Sequence, residues 1–391
     1  MRRSRTLAWM LVVLGICAGS TGAAWAAPID DARARVMASF TQKPEARIAL
    51  DPAIVEGPWE PVPFDQAKYT YTFAEMKARW PEFMRGLRIP YPSAEYLRER
   101  YQRFPALMYE LGYQDDNWEM HSLNVLEVWQ AFFRGDFRKA RDLGIKYGGY
   151  AQVPGVFAQI LQAIYLAKTH EKKQMLLQDA IDRIEAYATA APYLPSEDEF
   201  HDDYVLFRLG LAYAVGRLAE DEPVPVMLAN GYAPLVINAA NEALAVEPEH
   251  PLVMAMNAVF DANVIRRVGK TAGKIALGAE PVNAGELLEK SLSITDDMAI
   301  TQYEFANSRL YIDRSASTEE ALAHLHKAVA LKGEFSMEVL DAMYAQKRLA
   351  EVQALHDSGR SFASFDRARR KHMRKTGVNL YCVTCEPFIV E

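Results

Sequence analysis

Cys382 and Cys385 stand three positions apart in a CxxC arrangement, the motif of this chain with the widest choice of chemistry. Such a pair can cycle between dithiol and disulfide, supply half of a zinc site, or close as a local disulfide. Zinc would need a second pair, and the chain holds only one other cysteine, Cys17. A thioredoxin-type pair sits where a strand turns into a helix, whereas the run from Val378 to Val390 reads as strand-like throughout. For an exported chain the expectation is a disulfide between Cys382 and Cys385 that staples a turn of the tail. So short a loop adds little to global stability.

Other groupings fall short of a site. Ser196-Glu197-Asp198-Glu199-Phe200-His201-Asp202-Asp203 packs hard oxygen ligands together. However, Ser196 and Glu199 have capping-box spacing, acids suit a first helical turn, and the alternating ligands of a calcium loop are missing. Gly269-Lys270-Thr271 resembles the end of a phosphate loop, but Val264 stands where that motif requires glycine. With Gly273, Lys274 and Gly278 it reads as a flexible loop. His324 and His326 lie two apart on a helical pattern, so they diverge and cannot chelate together. No zinc-protease helix, nucleophile elbow or dinucleotide fingerprint occurs. The expectation is a binding protein with no catalytic residue, metal or cofactor.

The elements that would position a site are helices. Residues 1–26 read as an export leader: Arg2, Arg3 and Arg5, an apolar run from Leu7 to Ile16, then Ala24-Trp25-Ala26 before a cleavage point. Without it, Lys and Arg fall from 44 to 41 against 51 acids, a net charge of −10 that disfavours nucleic acid. No later stretch is apolar for long enough to span a bilayer. Residues 27–115 form an irregular N-terminal helical segment, broken by Pro52, Pro58, Pro61 and Pro63. From Asp116 the 3.6-residue period dominates, and 116–355 reads as a run of helix pairs. Residues 356–391 form a basic tail. There Arg367, Arg369, Arg370, Lys371, Arg374 and Lys375 make a stripe suited to an anionic membrane surface.

Five small or β-branched anchors mark the second helix of each pair, at Ala140, Ala180, Val236, Ala284 and Ala321. Gly135-Asp136-Phe137-Arg138-Lys139-Ala140 supplies the turn between helices in the first pair, and Glu319-Glu320-Ala321 with Leu325 and Ala328 repeats the pattern later. The arrangement resembles the tetratricopeptide (TPR) repeat family. It departs from it in spacing: intervals of 40, 56, 48 and 37 residues exceed the regular repeat of about 34. The fold expected is therefore all-α, an irregular TPR-like superhelix with an irregular N-terminal segment and a short cysteine-containing tail.

In that family the first helices line the hollow. Carried over, the resemblance places Trp129, Phe132, Phe133, Phe157, Ile160, Ile164, Tyr204, Phe207, Leu211, Tyr303, Leu310 and Tyr311 there, with Leu252, Ala255, Val259 and Ile300. Peptide-clamping members carry Lys, Arg and Asn at such places. An open groove this apolar would be an unusually large exposed patch. The superhelix must close on itself, be covered, or hold a ligand, unless these side chains are ordinary core. A weaker resemblance, through the leader, the irregular pairs and Tyr303-Glu304-Phe305-Ala306-Asn307, is to the periplasmic TPR-like T component of TRAP transport systems. It implies a periplasmic protein passing a lipid- or sterol-like molecule to an envelope transporter or carrier. The alternative is a protein–protein scaffold in envelope assembly. A closed cavity would favour the ligand and an open groove the partner.

Overall fold

A run of helix pairs returns upon its own beginning. The computed structural model describes residues 48–109, 116–190, 201–313 and 317–389. The leader-like segment 1–26 and the acidic run beginning at Ser196 lie outside the described residues and side chains. The structure is all-α, with no strand among the described residues.

Two helices of the N-terminal segment, α1 (Phe73–Phe83) and α2 (Ala94–Arg103), precede the pairs. Thr72 opens α1 with a reciprocal capping box to Glu75. The first pair is α3 (Trp118–Arg134) and α4 (Phe137–Tyr147). Gly135 joins them in the left-handed region at φ 84°. A Cβ there would also stand 2.8 Å from Val62, so the position suits only glycine. The second pair is α5 (Gln152–Leu161), which continues as one π turn over Gln162–Leu166, and α6 (His170–Ala190). The third is α7 (His201–Ala219) with α8 (Tyr232–Val246). In the fourth, α9 (Pro251–Val268) packs on α11 (Pro281–Thr295) with a short α10 (Lys270–Leu277) between them. The fifth joins α12 (Ala299–Asp313) to α13 (Thr318–Ala330). Ala140, Ala180, Val236, Ala284 and Ala321 are all buried in their second helices.

Two local expectations need correction. The stretch around Gly269-Lys270-Thr271 is helical rather than a loop. Gly269 and the left-handed Gly278 bracket α10, and Leu277 anchors it in the core. After the fifth pair come α14 (Ser336–Asp357) and, within the basic tail, α15 (Phe362–Thr376), which ends at left-handed Gly377. The run from Val378 is not a strand. It makes one isolated bridge, Thr169 with Val378, and then turns through Cys382 and Cys385, whose sulfurs are joined.

The superhelix closes where α14 meets α3. Phe335 packs its ring 5.1 Å from Phe133, 6.2 Å from Phe132 and 6.0 Å from Phe83. Ser336 Oγ donates to the Phe132 carbonyl at 2.5 Å, and the Tyr71 hydroxyl to that of Glu334. Full burial of a phenylalanine is worth about 2–3 kcal/mol, so these rings form a firm seam.

The tail then enters the body. Asn379 Nδ2 donates to the carbonyls of Ala163, Ile164 and Ala167, at 3.2, 2.8 and 2.7 Å. The π turn leaves carbonyls there without their usual helical donors, and this one buried amide serves them. Val383 N–H donates to the Tyr165 carbonyl, and Lys347 Nζ to that of Cys382.

Candidate functional site

A cavity of about 70 Å³ lies inside the closed ring. Its wall comes from the first helices of successive pairs: Phe157 and Ile160 on α5, Gly210 and Tyr213 on α7, Leu252, Ala255, Met256 and Val259 on α9, Ile300 and Glu304 on α12. Met337 and Asp341 of α14 complete it, with Leu87 reaching in from the loop after α1. A Cβ at Gly210 would crowd the Phe157 ring at 3.2 Å, so a side chain there would press on the cavity wall. The exposed wall is apolar throughout: Tyr213, Glu304 and Asp341 help to line it without exposing a polar atom.

Behind those groups is a buried network. The π turn carries Tyr165, whose hydroxyl donates to Asp341 Oδ1 at 2.6 Å and lies 2.7 Å from the Tyr303 hydroxyl. The Tyr213 hydroxyl stands 3.3 Å away. On α7, Arg217 pairs with Glu304 and reaches Glu220 at 3.2 Å and the Tyr381 hydroxyl at 2.6 Å. Beside them Lys173 pairs with Asp221 at 2.6 Å, both buried. Farther along α14, Arg348 and Arg369 flank buried Glu351 at 2.8 and 3.1 Å.

Every other carboxylate named in this network meets a cation, and Asp341 does not. No cation of the described residues lies within ion-pair distance of it, and its Oδ2 is buried without a partner. Burial therefore pushes its carboxyl up to about 8, against the pull of the Tyr165 hydrogen bond. Burial likewise raises the Tyr165 and Tyr303 hydroxyls well above their ordinary value, so both stay protonated donors. Burial also raises Glu304, opposed by the Arg217 guanidinium.

The twelve side chains picked from the sequence go to several places. Phe157 and Ile160 stand in the wall, and Tyr303 lies in the network behind it. Ile164 sits in the π turn and gives its carbonyl to Asn379. Trp129, Phe132 and Phe133 belong to the seam and to the packing against Trp80, 5.6 Å from Trp129. Phe207 stacks on Tyr187 at 4.1 Å, and Tyr204 bonds Glu242 nearer the surface. Leu211 and Leu310 are buried away from the cavity wall, and Tyr311 packs under Phe362 at 5.7 Å. Sequence reasoning missed Asp341, Arg217 and Leu87. A signal was present for one of them: Arg217 interrupts an apolar stretch from Leu209 to Ala219.

The loop bearing Leu87 is latched by charge. Arg85 bonds Asp297 at 2.9 Å and Glu338 at 2.6 Å, and Arg88 pairs with Glu247. Arg88 holds φ 55°, an unfavourable region for a non-glycine residue. On the outer face, Arg367, Lys371, Arg374 and Lys375 are exposed, whereas Arg369 is buried on Glu351 and Arg370 pairs with Asp366. The stripe thus holds four outward cations rather than six. No group of three metal-ligating side chains forms among the described residues, and none of their helices is long and apolar enough to cross a membrane. Compared with protein families, curated proteins and solved structures, the chain finds no match.

Proposed function

We propose that this chain is a non-enzymatic binding protein for an apolar small molecule, held in the cavity among the first helices. The observation that carries the reading is that apolar wall, inside a ring closed by its own seam. Burial of apolar ligand surface yields about 25 cal/mol per Å², enough to drive binding without elaborate polar chemistry. At about 70 Å³ the cavity takes a ring-sized fragment or the end of a chain. A lipid- or sterol-like molecule requires the Leu87 loop to withdraw, and that loop is held by ion pairs as well as by buried Met84, Leu87 and Ile89. The leader-like segment and the resemblance to a TRAP T component support a periplasmic setting and a role beside an envelope transporter or carrier.

The test is to purify the protein from its native host, extract it with organic solvent and analyse the extract by mass spectrometry. A stoichiometric apolar molecule, lost in Ala255→Leu because the added side chain fills the cavity, supports the reading. An empty extract, with no uptake of added lipid, overturns it in favour of the protein–protein scaffold.

A further inference from the structure

The loop that carries Leu87 borders two hollows. Leu87 lines the cavity, whereas Met84, Arg85, Arg88 and Ile89 line an open groove of about 550 Å³ between that loop and α1. The volume falls among those of small-molecule sites, about 300–1,000 Å³. Most of the groove is apolar. Trp80 packs edge-on against half-buried Tyr91 at 5.4 Å, and Pro81 and Pro90 extend the same wall.

Every charged side chain on that wall is a cation. Lys77, Arg85 and Arg88 line it and no carboxylate does, in a chain whose formal net charge is −7. Arg85 is committed to Asp297 and Glu338, and Arg88 to Glu247. Lys77 is not committed. It is exposed, its ammonium stands 5.6 Å over the Tyr91 ring, and no carboxylate of the described residues pairs with it. An open groove leaves part of any ligand in water, so apolar contact alone holds a ligand there only weakly. A cationic head would meet three like charges, and a neutral head would gain no charge partner. An anionic head finds Lys77 uncommitted, and Arg85 and Arg88 add to the same field.

We propose that this groove binds an anionic amphiphile, a short apolar chain with one carboxylate head, taken up as a single molecule from solution. Its chain lies along Tyr91 and the two prolines, and its head pairs with Lys77. The site is separate from the cavity and does not depend on the cavity being occupied. Its test uses the full chain with labelled methionine methyls, because Met84 lines the groove whereas Met256 and Met337 line the cavity. Hexanoate, hexanol and hexylammonium, probes of one chain length, are titrated at pH 7 and low salt. Hexanoate is expected to shift the Met84 methyl saturably and to bind about threefold to fivefold tighter than hexanol, the range of an exposed ion pair. Hexylammonium binds weakest. Lys77→Gln brings hexanoate down to hexanol, Lys77→Arg keeps the margin, and about 0.5 M salt removes it. Ala255→Leu, which fills the cavity, leaves the Met84 response unchanged. Equal binding of hexanoate and hexanol, tightest binding of hexylammonium, or a margin that survives Lys77→Gln overturns the inference. Shifts confined to Met256 and Met337 overturn it while supporting the cavity reading. Absence of any Met84 shift with all three probes overturns it and leaves the cavity to its own test.

Discussion

The Tyr165 hydroxyl donates to Asp341 across 2.6 Å, although 176 positions of chain separate the two residues. One stands on a π turn that ends the second first-helix, the other on the helix that closes the ring. Their bond ties the centre of the molecule to its seam, and it leaves Asp341 with one oxygen satisfied and one not.

That carboxyl makes stability depend on pH with a definite sign. Burial pushes its pKa up to about 8 in the folded protein, against about 3.9 for a freely exposed aspartate. Between those values the unfolded chain binds fewer protons, so this group's contribution is full below about pH 4, falls as pH rises, and is lost above pH 8. Asp341→Asn lacks this slope. Its urea midpoint should exceed that of the wild type at pH 9, by an amount worth a few kcal/mol, and the advantage should shrink toward pH 5.

The seam depends on Phe335, whose ring meets Phe83, Phe132 and Phe133. Phe335→Ala removes the shared ring and should cost about 3–5 kcal/mol in denaturant unfolding. A loss below about 1 kcal/mol, the level of a surface change, would mean that the ring is held shut elsewhere.

Latching of the Leu87 loop by ion pairs should show in hydrogen exchange. Of the three ion pairs described, the double variant Glu247→Gln, Asp297→Asn leaves the Arg85 contact with Glu338. Amides from Met84 to Tyr91 should then exchange faster. Global stability should change by less than about 1 kcal/mol, since both broken pairs are partly exposed.

In the tail, the side chain of Asn379 matters more than the disulfide. Asn379→Ala strips three buried carbonyls of their donor and should cost about 2–3 kcal/mol. Replacing Cys382 and Cys385 together by serine should cost about 2 kcal/mol or less, given the short loop. Thermal unfolding of the two variants side by side gives the order.

The outward cations of α15 bear on membranes. Sedimentation with vesicles rich in phosphatidylserine should retain the protein at low salt. Charge reversal at Lys371, Arg374 and Lys375 should release it, each cation being worth about 1 kcal/mol near such a surface.

Much of the architecture is legible in the sequence because small anchors recur where second helices cross, and all five of those anchors are buried. On α9 the pattern also gives the inner face, since Leu252, Ala255 and Val259 share one side and line the cavity. On α7 it does not. Leu206, Phe207, Leu209, Leu211, Ala212 and Val215 are all buried, so the helix is apolar on every side and periodicity names no inner face. The role of α14 is hidden for a related reason. Apolar Leu340 and Tyr344 are buried on it together with Asp341, Lys347, Arg348 and Glu351, so polarity does not separate inside from outside. Long-range partners finish the site: Asp341 gains its meaning from Tyr165, and the π turn of Tyr165 from Asn379.

Contact between Phe335 and Phe133 also limits how this protein can vary. An open solenoid tolerates duplication or loss of a unit, because each unit touches only its neighbours. Here an inserted helix pair would part Phe335 from Phe133, and a deleted pair would drive the two faces together. The number of units is therefore a closed-ring constant. Variation is confined to the connectors, where the intervals between anchors already differ.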